Sequence, residues 1–238
     1  MFFRGAGLSE AEHLELGRRF GTPSIYPVAR IMGATEPTMT VIADGPESRN
    51  AADAWHTDVT WTAEPPSFAL LHMEVVPEFG GDTLWCSATK AYETLSEPMR
   101  DFLCGLTVIH DNEGFIEGVQ KKAGDVADDL AAALRRDYPP VEHPFVRTHP
   151  DTGKRALLYA RRFIRRIKDL TDAESQAILA VVAEHIAEPS LHCRWSWEAG
   201  DLAIWDERST LHRSAADHWP QERVIRRLEI DGTRPVFV

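Results

Sequence analysis

No run of 18 uncharged apolar residues occurs in the chain, so no segment reads as a membrane-spanning helix. The start, MFFRGAGLSEAEHLE, lacks the long apolar region and small-residue cleavage site of a signal peptide. Cysteine is scarce. Cys86, Cys104 and Cys193 are widely spaced, make no CxxC and are odd in number, which argues against a disulfide scaffold. Those absences fit a reducing compartment, and the cytoplasm is the expected location. Positive charge is also short. Lys and Arg number 26 against 37 Asp and Glu, a net charge of −11 that argues against a nucleic-acid surface. A local basic pocket for a small anion stays open. There is no Gly-rich strand-to-helix turn of the dinucleotide kind, no internal repeat and no low-complexity linker.

What is present is ordinary globular material: 238 residues, 43% apolar and 26% charged, enough for a sizeable core. With no linker, one domain over 1–238 is expected. Met1–Phe3 reads as a strand end. Ser9 and Glu12 form a capping box for a helix over Glu10–Phe20, stopped by Gly21. Strands are predicted at Thr38–Ala43, Ser67–Val76, Thr83–Cys86, Leu106–His110, Val141–Thr148, Arg155–Tyr159, Leu191–Trp197, Leu202–Trp205 and Arg223–Ile230. Further helices are predicted from Ser87, from Pro98, over Val126–Arg136 and after the capping box Thr171/Glu174. Asp44–Ala54 reads as loop, and Asp111–Asp125, polar and glycine-containing, as a mobile loop. Many short strands with interspersed helices predict a mostly β fold, a β-sandwich or jelly roll with peripheral helices.

One short stretch carries chemistry. WHTDVTW at Trp55–Trp61 sets His56 and Asp58 two residues apart. On a strand edge, i and i+2 side chains share a side, so an imidazole and a carboxylate can reach one metal ion. A polar surface pair explains the same spacing. His212, in DERSTLHRS, offers a third ligand. Two histidines and one carboxylate leave positions open on a metal and suit non-haem Fe(II) oxygenases. Metal-dependent hydrolysis competes with that reading, and a structural zinc site would want a fourth protein ligand. In RVIRRLEI, Arg223 and Arg227 share one strand face and Arg226 points away. Two guanidiniums beside a metal can hold two anions. Arg226 is expected on a solvated face.

The chain resembles the taurine/alpha-ketoglutarate dioxygenase family. WHTDVTW, GGDTLW at Gly80–Trp85, HPFVRTHPDTGKRAL at His143–Leu157, WDERSTLHRSAAD at Trp205–Asp217 and RVIRRLEI follow in family order. The resemblance implies a double-stranded β-helix, or jelly roll. It implies Fe(II) on His56, Asp58 and His212, with 2-oxoglutarate and dioxygen as cosubstrates. Thr83 matches the threonine that hydrogen-bonds the distal carboxylate of 2-oxoglutarate, and Arg223 the arginine that pairs with it. Arg227 matches the position that receives a substrate sulfonate. The implied reaction hydroxylates a C–H carbon while 2-oxoglutarate loses carbon dioxide to give succinate, and no side-chain acid–base pair is required.

By the same resemblance Tyr26, Ala29 and Ala52 stand where the taurine enzyme binds its substrate's amine end, and all three depart from its pattern. A larger, more apolar anionic substrate is therefore expected: an alkyl sulfate, a longer sulfonate or an aryloxyalkanoate. Phe115 and Phe163 are candidates for the substrate wall, with plain packing the alternative. The tryptophans read as packing anchors. His110, His143 and His149 read as hydrogen-bonded structural histidines, His110 being the one with a chance of reaching the pocket. Family members carry some 30–40 residues before the segment matching Met1, so a short N-terminus and an open sheet edge are expected, with cover from a second copy in a homo-oligomer. A non-catalytic jelly-roll binding protein is the alternative from another class.

Overall fold

The computed structural model describes residues 1–48, 52–123 and 126–238. Thirteen strands lie among the described residues: β1 (Phe2–Phe3), β2 (Thr40–Asp44), β3 (Phe68–Val75), β4 (Thr83–Ser87), β5 (Thr107–His110), β6 (Val141–Pro144), β7 (Val146–Thr148), β8 (Arg155–Leu157), β9 (Ile164–Ile167), β10 (His192–Trp195), β11 (Leu202–Asp206), β12 (Thr210–Ser214) and β13 (Arg223–Ile230). The helices are α1 (Glu10–Arg18), α2 (Pro27–Ile31), α3 (Ala88–Thr94), α4 (Glu97–Cys104), α5 (Glu113–Ala123), α6 (Val126–Asp137) and α7 (Asp172–Ile186).

A five-stranded sheet in the order β1-β11-β3-β13-β2 packs against a three-stranded sheet, β10-β4-β12. All their pairings are antiparallel. Two smaller sheets, β6-β5-β9 and β7-β8, complete the strands. This is the expected jelly roll with helices outside it. Between the two main sheets lies an aromatic-rich core of Leu71, Met73, Trp85, Trp197, Trp205 and Ile225. Each large apolar side chain fully buried there contributes about 1.5–3 kcal/mol relative to exposure.

Alternation along β13 builds two different surfaces. Ile225 faces the core between the sheets, whereas Leu228 and Ile230 face outward under α1. Period 2 then puts Arg223, Arg227 and Glu229 on the inner side and Arg226 on the outer. The outer surface is covered by α1, whose capping box forms as expected, Ser9 with Glu12. Gly17 permits the contact. A Cβ there would stand 2.3 Å from Leu228 Cδ2.

Three expectations need correction. Asp111–Asp125 is no loop: α5 runs over Glu113–Ala123, and only residues 124–125 lie outside the described residues. Its glycine serves close packing, since a Cβ on Gly114 would meet Arg162's carbonyl oxygen at 2.5 Å. His56 and Asp58 do not sit on a regular strand either. His56 forms a single bridge with His212, and the chain turns at once through Asp58 and Val59. Finally, Val141–Thr148 divides into β6 and β7, while β9 and α2 arise in segments assigned no element from the sequence. Of the expected loop Asp44–Ala54, residues 49–51 lie outside the described residues.

Candidate metal centre

His212 lies on β12, opposite Trp85 of β4. On its other side it exchanges two backbone hydrogen bonds with His56, at 3.0 and 2.8 Å. The two imidazoles are therefore cross-strand neighbours, with ring centres 4.2 Å apart. Asp58 follows two residues later, and its carboxylate turns back toward both rings. Oδ1 lies 3.5 Å from His56 Nε2, and Oδ2 lies 3.7 Å from His212 Nε2. One ligand atom from each of the three residues lies within 4.8 Å of the others, and all three residues are buried.

The electrostatics suit ligation. His56 Nδ1 lies 2.8 Å from the Ala54 carbonyl and donates to it, so in the neutral ring Nε2, which faces Asp58, is the nitrogen free to ligate. Burial first, and His56 second, push His212 down to about 3, so its imidazole is neutral. Burial works against the Asp58 carboxylate, yet Arg227, His212 and His56 hold it well below the usual carboxylate range. The neutral His212 imidazole and the ionised Asp58 carboxylate are in the protonation states that bind a metal ion. Asp58 Oδ2 and His212 Nδ1 are buried without a hydrogen-bond partner. A divalent ion among the three residues would satisfy the first of these, and the donor set fits a first-row metal with positions left open.

Beside this cluster the inner side of β13 supplies two cations. Arg223, 3% exposed, donates from Nε to the Gly81 carbonyl at 2.9 Å and from Nη2 to Thr83 Oγ1 at 3.4 Å. Trp197 Nε1 donates to the same hydroxyl at 3.0 Å. Burial lowers Arg223 to about 10, which still leaves it charged at neutral pH. Arg227 donates from Nη1 to Asp58 Oδ1 at 3.0 Å, and its Nη2 lies 3.2 Å from Glu229 Oε1. Burial opposes its charge, but Asp58 and Glu229 hold its pKa above that of a free arginine. Its Nε is buried without a partner.

The Arg227 guanidinium lies 5.5 Å from the centre of the Tyr26 ring. Tyr26, Phe115 and Phe163 are partly buried around one apolar cluster with Val59, Trp61, Ile116 and Leu134. The structure thus brings all three aromatic candidates into one cluster. Ala52 is half-buried, and its carbonyl accepts from Ser214 N–H at 2.7 Å, two residues past His212. The other histidines sit elsewhere: His110 on Thr60, His143 on the Thr60 and Thr62 carbonyls, His149 on Asp206. Arg226 does point away from the cluster, but it is no solvated side chain. It pairs with Glu74 and donates to the Leu8 carbonyl.

Two acidic residues at the site were not singled out from the sequence. Glu207 and Glu229 are 1% and 5% exposed. Burial and the charge of Asp58 hold Glu207 well above the usual carboxylate range, and burial raises Glu229 to about 7. Glu229 had a usable signal, its i+2 spacing from Arg227. Glu207 had only its place inside WDERSTLH.

Compared with known proteins, residues 1–228 match the model of the taurine catabolism dioxygenase TauD, TfdA family. The chain belongs to this TauD/TfdA family. An alpha-ketoglutarate-dependent sulfate ester dioxygenase of Pseudomonas putida is 34% identical over 243 residues, covering all of this chain and 78% of that protein. An alkylsulfatase of Acinetobacter baylyi is 32% identical over 98% of this chain and 73% of its own length. Among solved structures, a taurine dioxygenase from Burkholderia xenovorans superposes with a TM-score of 0.80 at 31% identity, covering 99% of this chain and 78% of that one. The TauD/TfdA jelly roll is thus shared at the level of the backbone as well as the sequence.

Proposed function

We propose that this chain is an Fe(II)- and 2-oxoglutarate-dependent dioxygenase that hydroxylates a small anionic organic substrate, with the whole chain acting as one catalytic domain. The convergence of His56, Asp58 and His212 within 4.8 Å, beside two buried arginines, carries this reading. His56, Asp58 and His212 would hold Fe(II). The metal, when bound with 2-oxoglutarate and dioxygen, supplies the oxidation of a substrate C–H bond. The protein's own part is placement. Arg223, oriented by the Gly81 carbonyl, and Thr83, oriented by Trp197, would take the distal carboxylate of 2-oxoglutarate. Arg227, with Nε unpartnered, would take the anionic group of the substrate.

Tyr26, Phe115 and Phe163 would form the apolar wall that strips water from the substrate chain. Ala52 would leave that end of the pocket without a polar side chain. Hydroxylation at a carbon bearing sulfate, sulfonate or aryloxy oxygen gives an unstable product, which releases that group and leaves an aldehyde or ketone. The family description and the dioxygenase named among the relatives favour this oxidative reading over a metal hydrolase or a non-catalytic binding protein. Sulfate esters, sulfonates and aryloxy acids are the substrate classes to try.

Among the described residues no helix is long and apolar enough to cross a membrane. Free Cys86, Cys104 and Cys193 accord with a cytoplasmic setting. The sheet edge at β1 leaves room for the expected self-association. The test is a panel of alkyl sulfates, sulfonates and aryloxy acids, with Fe(II) and 2-oxoglutarate, aerobically and anaerobically. Oxygen-dependent release of sulfate, sulfite or phenol with one aldehyde or ketone per succinate is expected. Release of the same group without oxygen would instead assign hydrolysis.

A further inference from the structure

We infer that Glu207 is a positioning residue of the metal centre, holding Asp58 and His212 together; the inference rests on the metal assignment proposed above. Glu207 follows the end of β11 and is 1% exposed. Its Oε2 accepts the Asp58 backbone N–H at 3.0 Å, and its Oε1 accepts Trp205 Nε1–H at 2.7 Å. The same Oε1 lies 3.8 Å from His212 Nδ1, a buried nitrogen with no other partner. Since His212 turns Nε2 toward Asp58, a ring ligating through Nε2 carries its proton on Nδ1, and Glu207 is the acceptor facing it. The present gap exceeds a hydrogen bond. Closing it takes a rotation of the imidazole toward Glu207. A carboxylate behind a ligating histidine fixes the ring's orientation and raises its basicity.

The second hold is on the HxD turn. Directly after Asp58, Val59 takes a positive φ of 51°, a conformation that a β-branched residue rarely adopts. The Glu207 bond to the Asp58 N–H fixes the chain at that bend, and Val59 is buried in the apolar cluster beyond it. Glu207 is itself held by a rigid layer. The Trp205 ring is buried between the sheets, 5.6 Å from Trp85 and 4.9 Å from the His212 imidazole. One carboxyl group therefore ties two ligands, from distant parts of the chain, to the core between the sheets.

The experiment titrates Co(II) alone into the wild-type chain and Glu207→Gln. It reads affinity by calorimetry and ligand geometry from the visible absorption of the bound ion. A carboxamide has one acceptor oxygen, so it cannot serve both N–H groups and the imidazole. Co(II) affinity is expected to fall about 10- to 100-fold, with altered absorption bands. A folded variant with affinity within about twofold of wild type and unchanged bands, and only a lower Tm, would overturn the inference. If that variant does not fold, Glu207→Asp, one methylene shorter, is judged by the same readings. Should the wild-type chain itself take up no Co(II), the metal assignment fails and the positioning role falls with it.

Discussion

The two sides of β13 bury charge in different ways. On the outer side Arg226 is used up by Glu74 and the Leu8 carbonyl, next to His72 and the fully enclosed His13. On the inner side Arg223 and Arg227 face Thr83, Asp58 and Glu229, beside two further imidazoles. Buried nitrogens without partners occur on both sides, His13 on one and His212 on the other. Burial of a polar atom therefore does not by itself mark a site. Convergence does: on the inner side three ligand atoms of the right kinds lie within 4.8 Å of one another, whereas on the outer side Arg226 ties the Leu8 backbone, just before α1, to the sheet.

The strongest way to break this contrast is to remove a ligand from the inner side. His212→Ala should abolish Fe(II)-dependent turnover and metal uptake, while Arg226→Ala should leave the turnover of folded protein near wild type. Comparable losses in both would erase the distinction. Next come the two inner arginines. Each truncation removes a buried charge worth about 2 kcal/mol or more, roughly 30-fold in affinity. Arg223→Ala should raise mainly the KM for 2-oxoglutarate and Arg227→Ala mainly that for the organic substrate. Both constants are to be measured in both variants, and equal losses would refute the division of labour.

The outer side should answer to pH. Burial first, then His72 and Arg226, push His13 down to about 4. Away from β13, burial likewise brings His143, held on the Thr60 and Thr62 carbonyls, to about 4. A base whose pKa is depressed on folding contributes stability that is fully present above its unfolded value, about 6.5. That stability is lost as pH falls from about 6.5 to about 4, on the order of 3 kcal/mol per group. Thermal unfolding across that window should show the loss, and His13→Leu should flatten the part due to His13. The smallest effect expected is from Gly17→Ala. The added methyl meets Leu228, so Tm should fall with about 1–2 kcal/mol of overpacking, while kcat per folded molecule stays the same.

Much of this was legible in the chain because local chemistry and tertiary role agree. The capping boxes at Ser9/Glu12 and Thr171/Glu174 form as the residues dictate. The alternation of RVIRRLEI separates Arg226 from Arg223 and Arg227, as β13 has it. His56, Asp58 and His212 were found through residue type and motif order, although the strand geometry first used to join the first two is a single bridge and a turn. The α5 segment was misread because its glycines look like loop residues, while Gly114 lies against the Arg162 backbone. Glu207 was invisible for a related reason. An acidic residue in a turn is ordinarily solvated, and only the approach of β11 to the HxD turn buries it.

The most direct test follows succinate formed from 2-oxoglutarate by the folded, Fe(II)-loaded chain with an alkyl sulfate present. Succinate is expected only when Fe(II) and dioxygen are both supplied, and none from Asp58→Ala. Succinate that forms without dioxygen or survives the loss of Asp58 would contradict it, as would none at all from iron-loaded wild type across the anionic panel.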